Sequence, residues 1–160
     1  MLVKIRDYFV EDWPAIEVIL RTAPSMEPEL VEHEKRLINL YIQQYTSGRV
    51  LVAQNSETNQ IVGYIILRFN KNASFVESLL VDHKQFRKGV GSQLIEFAKK
   101  LGRLDTPNLQ VLRMAVLESN QGGLQFLLEN GFQICGYVKS DVSWYTNQIH
   151  LVFPLIDTSF

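Results

Sequence analysis

Leu79-Leu80-Val81-Asp82-His83-Lys84-Gln85-Phe86-Arg87-Lys88-Gly89-Val90-Gly91-Ser92 runs from an apolar strand through a basic, glycine-containing turn directly into a helix. Backbone N–H groups at a helix start lack internal partners and carry the positive end of the helix dipole. Glycines at 89 and 91 let an anion approach the main chain closely, and Arg87 and Lys88 add full charges beside it. The arrangement suits a phosphate or pyrophosphate.

On the amino-terminal side of this stretch, Val3 to Phe9 reads as a strand. A helix follows, with Asp12 as N-cap, Pro14 in the first turn and the stripe Ile16, Ile19 and Leu20. A second helix is expected from about Glu29 to Tyr45, burying Leu30, Leu37, Ile38, Tyr41 and Tyr45 and ended by Gly48. Arg49 to Gln54 and Ile61 to Phe69 form a hairpin, and Phe75 to Val81 is the third strand of this group. Beyond the glycines, Leu94, Ile95, Ala98 and Leu101 share one helical face. A strand near Leu109 to Val116, a helix from about Gln121 to Asn130 closed by Gly131, and strands near Phe132 to Val138 and Ile149 to Leu155 complete the chain. The expected fold is α/β: a mixed, partly antiparallel sheet flanked by helices on both faces, in one domain over residues 1–160.

Composition narrows the function classes. The 160 residues hold 16 Lys+Arg and 17 Asp+Glu, a net charge of -1. That balance gives no whole-molecule field to draw nucleic acid or an anionic membrane. No apolar run reaches the roughly 20 residues of a spanning helix, and Met1 to Asp7 does not read as a signal segment. The single cysteine, Cys135, reads as a small apolar strand residue and suits a reducing, cytoplasmic location. His33, His83 and His150 share no metal-ligand spacing, so no metal is expected. A Walker A loop needs its Lys after the glycines. A Rossmann fingerprint needs a small residue where Leu94 stands and should follow the first strand rather than the fourth.

The loop resembles the acetyl-CoA loop of the GNAT N-acetyltransferase family, Gln/Arg-x-x-Gly-x-Gly/Ala at a strand-to-helix junction. Phe86 occupies the Gln/Arg position, with Gln85 and Arg87 flanking it. Asn120-Gln121-Gly122-Gly123 through Gly131-Phe132 resembles the family's later motif: Asn, a small residue three on, a helix, then Gly-Phe opening a strand. The resemblance is specific from about Ile61 to Phe153. It implies that the backbone of Leu79, Leu80 and Val81 bonds the pantetheine amides and that Arg87, Lys88, Gly89, Val90, Gly91 and Ser92 hold the pyrophosphate. It also implies that Asn120, an N-cap by residue type, lies beside the pantetheine arm.

Leu127 occupies the position at which many members carry a tyrosine that protonates the leaving thiolate. Tyr137 or Tyr145 could substitute; Tyr145 is preferred, because Trp144-Tyr145 follows polar Ser140-Asp141 in what reads as a loop. An amine nucleophile with a pKa near 10.4 needs a base. Glu77 interrupts an otherwise apolar strand, and some members, polyamine acetyltransferases among them, use Glu there. The last hairpin, with Trp144-Tyr145-Thr146-Asn147, is faintly similar to that of streptothricin-type acetyltransferases. The resemblance implies direct transfer of acetyl from acetyl-CoA, a co-substrate, to a small-molecule amine or a protein amino group. No nucleic acid or membrane partner is expected, and a homodimer is compatible with the reading. The competing expectation is an acyl-CoA-binding sensor or scaffold of little or no activity on the same fold.

Overall fold

The computed structural model describes residues 1–24, 26–43, 47–105, 111–139 and 147–155. The elements are β1 (Val3–Asp7), α1 (Trp13–Thr22), α2 (Pro28–Ile42), β2 (Gly48–Asn55), β3 (Ile61–Phe69), β4 (Ala73–Val81), α3 (Val90–Asp105), β5 (Val111–Leu117), α4 (Gln121–Glu129), β6 (Gln133–Val138) and β7 (Gln148–Pro154). This is the order of strands and helices read from the sequence. Short 3-10 turns at Val10–Asp12 and His83–Gln85 were not anticipated.

The seven strands are ordered β1-β2-β3-β4-β5-β7-β6. β1–β2, β2–β3, β5–β7 and β6–β7 are antiparallel. β4 and β5 run parallel, from Ala73 opposite Val111 to Val76 opposite Met114. The parallel pair is the one joined through a helix, α3, as a crossover requires. The chain forms two compact units: Met1–Phe69 with Glu77–Ala98, and Asn70–Val76 with Lys99–Phe160.

In the first unit Ile16 and Leu20 of α1 and Val31, Ile38 and Tyr41 of α2 pack with Val50, Val52, Tyr64 and Ile66 of the sheet. Alternation sends Gly63 to the opposite face, where Leu94 of α3 approaches it. Helices therefore cover both faces of this unit. Within α2 the buried stripe is Val31, Ile38 and Tyr41, while Leu30 is exposed. The helix begins at Pro28 and ends at Ile42, and Gly48 opens β2 rather than closing α2. Tyr45 lies outside the described residues.

Asp12 precedes α1 as expected, but its carboxylate does not cap that helix. It accepts the Phe9 N–H at 2.8 Å and hydrogen bonds from Arg6 Nη1 and Nη2, each at 2.8 Å. Burial pushes the Asp12 carboxyl up; the Arg6 hydrogen bonds, the Phe9 N–H and the Arg6 charge outweigh it and hold the group below its usual value. The carboxylate's contribution to stability is therefore complete above its unfolded pKa, near 3.9, and is lost as pH falls through the lower folded value. Asp12→Ala is expected to destabilise the protein by about 2–3 kcal/mol at neutral pH. Denaturant melts should show that difference shrinking below about pH 4.

In the second unit Leu112, Val116, Leu127, Phe132, Leu151 and Leu155 are buried. Lys99 is buried with them, at 5% exposure. Its ammonium donates to the Asn130 carbonyl at the end of α4, at 2.8 Å, and lies 3.9 Å from the Phe153 ring centre. A cation at a helix carboxyl end and over an aromatic face offsets the desolvation of its charge. β6 forms the end of the strand order, and Cys135 on it is exposed rather than packed.

Candidate functional site

In the first unit β4 delivers its apolar end to the loop. Leu79, Leu80 and Val81 are only half-buried although they lie in the fourth of seven strands. The Asp82 N–H returns to the Val62 carbonyl at 2.8 Å, and the Asp82 carboxylate accepts the Lys84 N–H at 3.1 Å, starting the 3-10 turn. The chain then passes through two left-handed residues, Arg87 at φ 63° and Gly89 at φ 82°, before α3 begins at Val90. Gly89 takes that conformation without a side-chain penalty, whereas Arg87 holds it at a cost of order 1 kcal/mol. Strain of this kind in a basic, exposed turn is common at ligand-binding positions.

Arg87, Lys88 and Gly89 are exposed, Val90 is buried beneath them, and Gly91 and Ser92 are half-buried in the first turn of α3. The Lys88 ammonium donates to Gln85 Oε1 at 3.0 Å, which keeps its charge beside the turn. Phe86 is 58% exposed, so the position that departs from the family pattern contributes nothing to the core.

Also in the first unit, Glu77 forms an ion pair with Arg68 of β3. Their side chains are 28% and 33% exposed. Tyr41 of α2 stands close enough to feel both charges: burial first, then Glu77, pushes its hydroxyl up to about 12, against the opposing effect of Arg68. Deeper in, the buried Tyr64 hydroxyl donates to Glu34 at 2.6 Å and also bonds Ser78, the neighbour of Glu77. The sequence reading identified Glu77 but missed Arg68, Tyr41, Tyr64 and Glu34. Arg68 and Glu77 lie on consecutive strands, but nothing in the sequence sets the register that pairs them.

In the second unit Asn120 is the N-cap of α4, its side-chain oxygen accepting the Gly123 N–H at 2.9 Å. A Cβ on residue 123 would come within 2.6 Å of the Asn120 amide nitrogen, so any larger residue there would make the Asn120 side chain shift. Leu127, at 1% exposure, is part of the core. A tyrosine there would have to overpack that core. Tyr137 is exposed and its hydroxyl donates to Glu118 at 3.4 Å. Desolvation, then the Glu118 charge, raises its pKa. Tyr145 lies outside the described residues. Among the described residues no group of three His, Cys, Asp or Glu is placed to hold a metal, and no helix is long and apolar enough to cross a membrane.

A mixed sheet of this strand order, with a strand running through a basic Gly-x-Gly turn into α3, defines an acyltransferase-type α/β fold. The profile of the Acetyltransferase (GNAT) family matches residues 3–132, and the chain belongs to that family. No curated protein matches the sequence significantly. Among solved structures, an acetyltransferase of the GNAT family from Desulfovibrio desulfuricans superposes with a TM-score of 0.83 at 13% identity, covering 97% of this chain and 100% of the other. A chimera of spermidine N-acetyltransferase SpeG from Vibrio cholerae and hSSAT gives 0.79 at 16% identity, over 97% and 96% of the two chains. A protein from Bacillus anthracis, solved in complex with acetyl coenzyme A, gives 0.64 at 26% identity over 73% of this chain and 67% of that one.

Proposed function

We propose that this chain transfers acetyl directly from acetyl-CoA to a primary amine of a small molecule or protein. The observation that carries the reading is the junction at 87–92: two left-handed residues, two exposed cations and the start of a 16-residue helix. Acetyl coenzyme A bound in the similar Bacillus anthracis structure supports the choice of donor.

In this reading residues 87 to 92 hold the pyrophosphate and the backbone of Leu79 to Val81 meets the pantetheine amides. The amine lone pair attacks the thioester carbonyl carbon. The nitrogen's proton passes to Glu77, directly or through water, and the C–S bond breaks to release thiolate. A thiol's pKa of about 8.5 makes thiolate a tolerable leaving group even without Tyr145 as acid. The Arg68 guanidinium must yield Glu77 to the incoming amine, and the exposure of both side chains leaves room for that exchange.

Free thiol release from acetyl-CoA, followed over diamines, polyamines, amino sugars and peptides with free amino ends, tests the proposal. Amine-dependent release with a matching acetylated product is the expected result. Tight coenzyme A binding with no amine-dependent release across the panel would instead favour the sensor or scaffold, a reading supported by the apolar Leu127.

A further inference from the structure

Gln93 lies just past the Gly-x-Gly run, yet its side chain reaches back to the turn. The Gly89 carbonyl accepts two hydrogen bonds from this one residue, from its backbone N–H at 3.1 Å and from its side-chain Nε2 at 3.1 Å. The same Nε2 donates to the Met1 carbonyl at 2.8 Å, and Oε1 accepts the Val3 N–H at 3.3 Å. One side-chain amide therefore joins the backbone at the start of β1 to the turn before α3.

The consequence follows from peptide geometry. The Gly89 carbonyl and the Val90 N–H belong to one rigid plane and point in opposite directions. Fixing the carbonyl fixes the N–H. Gly89 at φ 82° can explore more of conformational space than any other residue type, so the side-chain bond adds to the Gln93 backbone N–H in holding this plane. We propose that Gln93 is a positioning residue for coenzyme binding: it sets the Gly89–Val90 peptide so that the Val90 N–H already faces the phosphate. Preorganisation of this kind strengthens binding by removing an ordering cost from the bound state. The proposal rests on the reading that residues 87 to 92 hold the pyrophosphate.

Gln93→Met keeps the length of the side chain and removes its donor and acceptor. Titration calorimetry with coenzyme A should show about tenfold weaker binding, with the KM for acetyl-CoA raised and kcat unchanged. In the free variant, NMR should show the Val90, Gly91 and Ser92 amide resonances shifted and broadened by exchange between peptide orientations while Leu94 to Leu101 keep wild-type shifts, a pattern that a merely structural tie would not give. Wild-type affinity in folded Gln93→Met, or resonance changes spread over all of α3 and β1, would overturn the proposal. Gly91→Asp separates the two levels of the argument. Affinity lost in Gly91→Asp but intact in Gln93→Met removes only the role of Gln93. Affinity intact in both, or absent from the wild type, removes the loop reading and Gln93 with it.

Discussion

Glu77→Gln is expected to lower turnover by about 10²–10⁴ at neutral pH, with the loss shrinking as pH climbs toward the amine's own pKa. At neutral pH about one lysine-like amine in a few thousand is unprotonated. A relay for its proton therefore has most to contribute there and least where the substrate arrives deprotonated. The Arg68 ion pair adds a second expectation. Arg68→Gln removes a cation that competes with a cationic acceptor for the Glu77 carboxylate, so the acceptor's KM should fall. Were Glu77 only an anchor for positive charge, Glu77→Gln would raise the KM and leave kcat nearly intact. Steady-state kinetics from pH 6.5 to 10 on both variants separate these outcomes; wild-type constants for Glu77→Gln throughout would remove it from the chemistry.

Gly91→Asp should abolish measurable coenzyme A binding, weakening it by at least about a hundredfold while the protein stays folded. An aspartate in the first turn of a helix favours the helix, because its charge complements the dipole. The same charge repels a phosphate and competes for the N–H groups that would hold it. Each such charge-assisted bond is worth about 1.5–3 kcal/mol, so losing two suffices for the effect. Arg87→Ala and Lys88→Ala should each weaken binding severalfold, and less at high salt, where exposed charges are screened. Calorimetry at two ionic strengths, with thermal melts to establish folding, checks both statements. Unchanged affinity in folded Gly91→Asp would move the coenzyme elsewhere.

The strand and helix order was legible because each element carries its own period and its own stop. Ile16, Ile19 and Leu20 mark one helical face, and the polar run at 55–60 separates two apolar strands. Errors arose where a local signal had two meanings. Gly48 reads as a helix end because glycine is common there, yet α2 stops at Ile42 and Gly48 begins the next strand. Asp12 reads as a cap, but a nearby guanidinium and the Phe9 N–H compete for its oxygens and win.

The candidate site divides along the same line. The loop is a contiguous stretch, so its residue types state its chemistry directly. The surroundings of Glu77 are assembled from β3, β4 and α2, and no run of neighbouring residues announces that Arg68 and Tyr41 will share its field. Gln93 is harder still. A glutamine on a helix has many uses, and only the fold shows that its amide bridges to a strand some ninety residues earlier in the chain.

The burial of Lys99 also makes it a natural reporter. An ammonium held against the Phe153 ring and the Asn130 carbonyl is sheltered from acylating reagents as long as the second unit stays closed. Surface lysines such as Lys4 and Lys100 carry no such shelter. In a labelling time course with an amine-reactive ester, modification at Lys99 would therefore measure how often that unit opens, while its exposed neighbours record the reagent's intrinsic rate.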